Sequence, residues 1–324
     1  MAHSDSKKDV LSPTEGRTVT CLLLNCGPSA GSNAKQRREA VKRIGCIAVK
    51  KDVDFILLQE LKGKNVVKKE ILSFIPEFEI LRQTGTDTDA NILYRKDKYK
   101  IMEFNLEKCW NDSLLIDKPI LELGIARLSV GFFESISSNP ASAKATECHM
   151  VVSWHGPERL AKSKEKKKEC FESLMKTIDN LSSNSKTALD VTSSLIGGDF
   201  NLEKDLVYPE GAKSNTTYTR KDKDGKPIQC VWVDYPTSAR RNEKRAGYHR
   251  IDEFICMRKV TSFPVSVKAT CLCLQDLQAL KDPDISDEDA TWFKENYLQL
   301  DHDPVLVSTT YQIPSSPLAE VKQT

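Results

Sequence analysis

The 324-residue sequence lacks long apolar runs, and none approaches the ~20 residues that a bilayer-spanning helix requires. Its first residues, MAHSDSKK, also lack the apolar core of a secretory signal. These two absences predict an intracellular protein, cytoplasmic or nuclear, with no membrane anchor.

Neither positive nor negative residues are in large excess, because the chain has 48 Lys plus Arg and 46 Asp plus Glu. Any attraction to nucleic acid must therefore be local. Zinc-ribbon C-x-x-C pairs are absent, and Cys271 and Cys273 form only C-x-C with no histidine cluster nearby. We therefore expect the ten cysteines to be reduced thiols rather than disulfides or structural zinc ligands.

An apolar fraction of 39% with 29% charged residues is typical of a globular protein with a substantial core. The length is compatible with one large domain. Polar composition predicts a disordered leader over residues 1–17 and a flexible tail over residues 312–324, with one domain over residues 18–311 between them.

Several apolar runs predict strands that end in polar residues. Residues 18–24 predict a buried strand that ends at Asn25, and residues 54–60 predict one that ends at Glu60. Helical spacing of apolar residues predicts amphipathic helices over about 34–51 and 162–181. The acidic residues 282–289 predict a loop. Further strands are predicted at residues 90–94, 124–130, 148–154, 192–198, 250–256, 265–274 and 304–308.

Polar side chains at strand ends recur along the whole chain. A single such residue is ordinarily a turn residue or a helix cap. The recurrence instead favours a site built on one edge of a packed sheet. The residues concerned are Asn25, Glu60, His155, Asp199, Asn201, Asp252, Asp301 and His302.

Five of these segments resemble, in order, the signature motifs of the endonuclease/exonuclease/phosphatase (DNase I-like) superfamily. They are LN ending at Asn25, QE ending at Glu60, GDFNL at 198–202, RID at 250–252 and DHDPV at 301–305. The resemblance covers about residues 18–311. It implies an α/β fold, a four-layer α-β-β-α sandwich of two mixed sheets with the active site at one edge.

The resemblance also implies roles for a hydrolytic centre that uses Mg²⁺, with Mn²⁺ as the alternative. Glu60, Asn25 and Asp301 would bind or approach the metal, since Mg²⁺ prefers oxygen ligands. Asp199 would orient and deprotonate the attacking water. His302 would contact the scissile phosphate, either as a charged donor or as a proton carrier.

The remaining site residues would support that centre. Asp252 would pair with His302 and fix its tautomer. His155 resembles the strand-end histidine of the nuclease branches and, with Asn201, would donate to the phosphate; the alternative is a histidine that merely caps a strand. In several nuclease branches an acidic residue follows the first asparagine by two positions. Here that position is Gly27, which implies that metal binding rests on fewer groups.

Signals for the substrate are weaker. A basic run at 162–168 follows His155 and is a weak signal for substrate binding; the default interpretation is a solvated helix start. A second basic cluster includes Arg245 and Arg250, and with Trp232 it could bind a nucleic-acid backbone and stack bases. The alternative is an ordinary exposed loop.

Three functions remain open at this stage. The first is a Mg²⁺-dependent nuclease or related phosphodiesterase with nucleic acid as substrate. The second is a phosphatase acting on phosphoinositides or another small phosphorylated metabolite. The third is a non-catalytic binding module, which is disfavoured because Glu60, Asp199, Asn201, Asp252 and His302 are all present. The oligomeric state is not indicated by the sequence.

Overall fold

The fold is taken from a computed structural model of the chain. It describes residues 16–28, 32–61, 71–81, 89–110, 112–136, 147–157, 163–183, 191–202, 217–221, 225, 227–233, 252–259, 265–300 and 302–312.

These residues form thirteen strands and five α-helices, besides three 3-10 segments. The strands are β1 (Gly16–Asn25), β2 (Phe55–Gln59), β3 (Phe78–Ile80), β4 (Ala90–Arg95), β5 (Tyr99–Ile101), β6 (Leu128–Ser135), β7 (Cys148–His155), β8 (Val191–Asp199), β9 (Thr217–Lys221), β10 (Pro227–Val233), β11 (Asp252–Lys259), β12 (Val265–Cys271) and β13 (Val305–Gln312). The helices are α1 (Ala34–Lys50), α2 (Leu106–Trp110), α3 (Lys118–Leu123), α4 (Lys164–Ser182) and α5 (Asp287–Asn296), and the 3-10 segments are Ile125–Arg127, Leu274–Leu280 and Tyr297–Gln299.

Two mixed sheets form the inner layers. Their strand orders are β12-β13-β1-β2-β4-β3 and β5-β6-β7-β8-β11-β10-β9. Each sheet contains one parallel pair, β1 with β2 and β7 with β8, and the other pairs are antiparallel. Helices α1 and α5 pack on the first sheet, and α3 and α4 pack on the second. The predicted four-layer sandwich is therefore confirmed.

Alternation of side chains along β1 explains why its sequence is apolar throughout. Cys21 and Leu23 point into the core between the sheets, whereas Leu22 and Leu24 point toward the helical layer. A strand covered on both faces has no solvent side, so it reads as a continuous apolar run rather than an alternating one.

The two sheets approach each other closely beside Gly197. A Cβ atom added to Gly197 would lie 2.5 Å from Leu23 Cδ2 and 2.9 Å from Leu57 Cδ1, both on the first sheet. A hydrogen bond also crosses between the sheets, because Gln59 Nε2 donates to Ser153 Oγ over 2.9 Å. The sheets are thus fixed to each other at the end where β1, β2, β7 and β8 finish.

Two predicted elements differ from the structure. The strand predicted at 124–130 begins only at Leu128, because Gly124 has a φ of 90° and Ile125–Arg127 forms a 3-10 turn. The loop predicted at 282–289 contains the start of α5. Ser286 caps that helix by accepting from the Asp289 N–H, and three acidic residues in the first turn suit the helix dipole.

All ten cysteines are free thiols and none forms a disulfide, as expected. No helix in the described part of the chain combines the length and the apolar character needed to cross a membrane.

A buried histidine lies near the start of β7, far along the strand from its polar end. His149 is fully buried, and its Nδ1 lies 2.7 Å from Ser193 Oγ. Burial, followed by the charges of Arg17 and Arg258, lowers the pKa of His149 to about 3. The imidazole is therefore neutral in the folded protein.

This burial makes stability depend on pH. The unfolded chain binds a proton at His149 below about pH 6.5 while the folded chain does not, so stability is lost as the pH falls from 6.5 toward 3. We expect this histidine to lower the free energy of unfolding by about 2 kcal/mol between pH 7 and pH 5. Urea unfolding at both pH values measures it. His149→Gln should show a smaller difference between them, and an unchanged difference would contradict the assignment.

Candidate active site

Strand topology brings the polar strand ends together. In the parallel pair β1–β2, Asn25 lies opposite Gln59, so Asn25 and Glu60 emerge at the same end of the first sheet. In the parallel pair β7–β8, His155 lies opposite Asp199. Because β13 runs antiparallel to β1, its beginning, next to His302, lies at this end as well. Ligand sites characteristically form where the carboxyl ends of parallel strands meet.

Asn25 connects the carboxylates contributed by the two sheets. Its Nδ2 donates to Asp199 Oδ2 over 3.0 Å and to Glu60 Oε1 over 3.3 Å. Its Oδ1 accepts from the Gly27 N–H over 2.8 Å. The opposite amide orientation would set Nδ2 against that N–H, which is a contact between two donors. The side chain thus presents its nitrogen to the carboxylates, whereas the predicted metal-ligand role requires its oxygen.

Gly27 lies directly against the Glu60 carboxylate. A Cβ atom at this position would come within 2.6 Å of Glu60 Oε2. No side chain can therefore extend from residue 27 toward the site unless Glu60 moves. The glycine noted in the sequence leaves room for Glu60 rather than a gap for another ligand.

Asp89 holds both Glu60 and His155. Its carbonyl accepts from the Glu60 N–H over 2.9 Å, and its Oδ2 lies 3.0 Å from His155 Nδ1. Its own N–H donates to the Ala126 carbonyl over 2.7 Å. Because the Asp89 carboxylate contacts Nδ1, the other ring nitrogen, Nε2, faces Glu60 Oε1 at a distance of 3.8 Å.

His302 lies on the other side of Asp199. Its Nε2 is 3.8 Å from Asp199 Oδ2, and both side chains are buried. Asp252 is the residue of β11 that lies opposite Asp199 in the antiparallel register. The side chain of Asp252 is outside the described part of the structure, so its pairing with His302 stays a prediction.

The turn after Asp199 is held by backbone contacts. Asn201 has a φ of 51°, and its N–H donates to Asp199 Oδ1 over 2.9 Å. Its Nδ2 donates to the Gly156 carbonyl over 3.3 Å rather than toward open space. Lys167 Nζ donates to the Asn201 carbonyl over 2.9 Å, and Arg127 donates to the Gly156 carbonyl over 2.6 Å.

Three of these residues have a donor set suited to a divalent cation. Ligand atoms of Glu60, His155 and Asp199 all lie within 4.8 Å of one another. Two carboxylates and an imidazole are common ligands of divalent metals. The residues therefore fit a metal at this sheet edge.

The structure thus brings together Asn25, Glu60, His155, Asp199, Asn201 and His302. The predicted residues Asp301, Arg245 and Arg250 lie outside the described residues, as does the side chain of Trp232. Their roles stay predictions.

Sequence reasoning missed Asp89, Arg127 and Lys167. Asp89 directly precedes the strand predicted at residues 90–94 and belongs to none of the five signature motifs. Since β4 runs antiparallel to β2, its start lies at the same end as Glu60, which the pairing alone would have indicated. Lys167 belongs to the basic run assigned by default to a solvated helix start, yet its Nζ contacts the site turn.

The fold was compared with solved structures. A D. rerio TDP2 humanized by 14 mutations matches with a TM-score of 0.50 at 14% identity, over 90% of this chain and 98% of that one. The chain thus has the endonuclease/exonuclease/phosphatase (DNase I-like) fold. A protein of that family from Bacteroides thetaiotaomicron has a TM-score of 0.49 at 15% identity, over 92% and 96% of the two chains. The human Nocturnin catalytic domain with bound sulfate has a TM-score of 0.45 at 11% identity, over 92% and 97%.

At the level of sequence, no protein-family model matches the chain, and no curated protein matches it significantly. The family resemblance is therefore carried by the fold and by the short motifs at the strand ends.

Lys167 and the neighbouring Lys168 provide a matched pair of variants. Lys167→Ala removes a charge-assisted hydrogen bond to the Asn201 carbonyl, so we expect a loss of about 1 kcal/mol in the free energy of unfolding. Lys168 is 58% exposed and, among the residues that the structure describes, pairs with Glu172 on the surface of α4, so Lys168→Ala should change stability by less than about 0.5 kcal/mol. Urea unfolding compares the two. Equal losses would show that the contact with Asn201 contributes nothing.

Proposed function

We propose that this chain is a divalent-metal-dependent phosphoesterase that hydrolyses phosphodiester bonds of nucleic acid. The observation that carries the proposal is the convergence of Glu60, Asp199 and His155 within 4.8 Å, with His302 3.8 Å from Asp199. Carboxylates and imidazoles at one rigid edge are the groups that metal-assisted phosphoryl hydrolysis uses.

Charge balance supports a metal in this mechanism. Glu60, Asp89 and Asp199 place three carboxylates around the site, against the two nearby cations of Arg127 and Lys167, which donate to backbone carbonyls. A phosphodiester anion would be repelled by these carboxylates, so a bound cation is needed for it to approach. Glu60 and Asp199 would bind that cation directly or through water.

When bound, Mg²⁺ or Mn²⁺ would neutralise charge that develops on the phosphoryl oxygens. The chain itself would supply a base. Asp199 is held by the Asn201 N–H at Oδ1 and by Asn25 Nδ2 at Oδ2, so its carboxylate has a fixed direction. From that position Asp199 would orient the attacking water and accept its proton.

His302 would contact the phosphate from the opposite side of Asp199. Its Nε2 faces the same oxygen that Asn25 binds, and the side chain is 3% exposed. A protonated imidazole there can donate to a phosphate oxygen or return a proton to the leaving group. Asn201 Nδ2 donates to the Gly156 carbonyl, so Asn201 would act by holding the turn after Asp199 in place.

Nucleic acid is proposed as the substrate from the basic and aromatic residues of the sequence, Arg245, Arg250 and Trp232. Small phosphorylated metabolites are the second candidate class, since the fold supports both activities. A screen of single- and double-stranded DNA and RNA beside an inositol-phosphate panel separates them. Each substrate is incubated with Mg²⁺, with Mn²⁺ and with EDTA. If the protein hydrolyses none of these substrates, the proposal is refuted.

Two site variants test the assigned roles. Asp199→Asn and His302→Ala should each reduce kcat by on the order of a hundredfold or more, because each removes a proton-transfer or phosphate-contacting group. Circular dichroism should show an intact fold. Asp284→Asn, on the exposed acidic segment before α5, is the control and should keep the normal rate. Near-normal rates in both site variants would rule out this mechanism.

Glu60→Gln tests the metal role separately. The amide keeps the size of the side chain but removes the charge that attracts a cation, so the metal concentration for half-maximal activity should rise by about tenfold or more. A metal titration of the rate measures this shift. If kcat falls at saturating metal while the half-maximal concentration is unchanged, Glu60 is not a metal ligand.

A further inference from the structure

The orientation of the His155 ring leaves one nitrogen directed into the carboxylate cluster. Its Nδ1 lies 3.0 Å from Asp89 Oδ2, which is hydrogen-bond distance. Its Nε2 lies 3.8 Å from Glu60 Oε1, which is too long for a hydrogen bond. With Nδ1 carrying the proton that Asp89 accepts, a neutral ring presents the Nε2 lone pair to Glu60. A lone pair and a carboxylate that face each other are stabilised by a cation between them.

The distances suit a shared cation. Nitrogen and oxygen ligands lie about 2.0 to 2.2 Å from ions such as Zn²⁺, so two ligands of one ion are separated by up to about 4.4 Å. The 3.8 Å between His155 Nε2 and Glu60 Oε1 falls within that limit. Asp199 belongs to the same group, whose ligand atoms are all within 4.8 Å of each other, so it would reach the ion directly or through a water.

We propose that His155 binds the metal of this site through Nε2, with Asp89 as the residue that orients it, and that the site therefore favours Mn²⁺ or another transition metal over Mg²⁺. The inference rests on the proposed metal-dependent function. A metal-bound Nε2 cannot donate to phosphate, so this role replaces the phosphate contact expected from the family resemblance.

Asp89 is built into the site in a way that supports this role. Histidine ligands of metals almost always donate their other ring N–H to a carboxylate or carbonyl, which fixes the ring and raises its basicity. Asp89 is 7% exposed, and its main chain is bonded on both sides, to Ala126 and to Glu60. Asp89 therefore orients the His155 ring through its side chain and positions the Glu60 backbone through its carbonyl.

Residue 27 offers no side-chain ligand beside Glu60. It is a glycine, and the Glu60 carboxylate occupies the space next to it. The His155 imidazole, with Nε2 at 3.8 Å from Glu60 Oε1, is an additional donor beside that carboxylate. Imidazole is a ligand of first-row transition metals, most strongly of Fe²⁺, Ni²⁺, Cu²⁺ and Zn²⁺ and least strongly of Mn²⁺, whereas Mg²⁺ keeps oxygen ligands and water.

Electron spin echo envelope modulation of the Mn²⁺-loaded protein tests the inference without an activity assay. We expect a directly bonded nitrogen in the unmodified protein, and labelling with ¹⁵N-histidine should change its coupling. The signal should be lost in His155→Phe, which keeps a ring in the buried position. It should persist in His302→Gln, the matched control at the second site histidine. Absence of nitrogen coupling in the unmodified protein, or its loss in His302→Gln instead, would overturn the proposal.

Calorimetric metal titration gives a second measurement. His155→Phe should weaken Mn²⁺ binding by about tenfold or more while changing Mg²⁺ binding by less than about threefold, and Asp89→Asn should weaken Mn²⁺ binding by a smaller factor. Equal losses for both metals would contradict the proposal. If His155→Phe fails to fold, His155→Gln takes its place in both measurements, and absence of nitrogen coupling in the labelled unmodified protein still overturns the proposal.

The two proposals can fail separately. Phosphoester hydrolysis without nitrogen coupling would leave the proposed function standing and reject the ligand role of His155. Nitrogen coupling in a protein that hydrolyses none of the screened substrates would reject the function and retain the metal site.

Discussion

The close packing of the two sheets beside Gly197 is the constraint on which the site depends. Asn25 and Glu60 come from the first sheet, and His155 and Asp199 come from the second, so the cluster exists only while the sheets keep one relative position. Gly197 lets Leu23 and Leu57 pack against the second sheet, and the hydrogen bond from Gln59 to Ser153 adds a polar contact that sliding would break. Protein interiors are packed densely enough to resist such movement.

Backbone strain is concentrated at the same edge. Glu60 and Asn201 have φ values of 60° and 51°, in the left-handed region that costs a non-glycine residue on the order of 1 kcal/mol. Each is stabilised by a hydrogen bond from its N–H, to the Asp89 carbonyl and to Asp199 Oδ1 respectively. These turns place the Glu60 side chain beside Asn25 and His155, and the Asn201 side chain beside Gly156.

Much of the fold could be predicted from the sequence, because strands covered on both faces are apolar along their length and stop at polar residues. That rule located Asn25, Glu60, His155 and Asp199. It failed where a residue precedes an antiparallel strand, as Asp89 does, and where a lysine within a surface helix reaches inward, as Lys167 does. It also could not give the amide orientation of Asn25, which depends on the Gly27 N–H. The positions of Asp89 and Lys167 are set by contacts between distant segments, and the Asn25 amide is set by the local turn at Gly27.

The thiol of Cys26 is buried beside the site and bears on which donor atoms a cation would meet there. The thiol lies one residue after Asn25, and burial, reinforced by the Glu60 charge, raises its pKa to about 12. It is 2% exposed and its Sγ faces the Leu24 carbonyl. The sulfur therefore packs in the apolar layer beneath α1, with Leu22 and Leu24, rather than among the polar side chains of the cluster. The ligand atoms that Glu60, His155 and Asp199 bring together are oxygen and nitrogen, the donors that hard and borderline cations prefer.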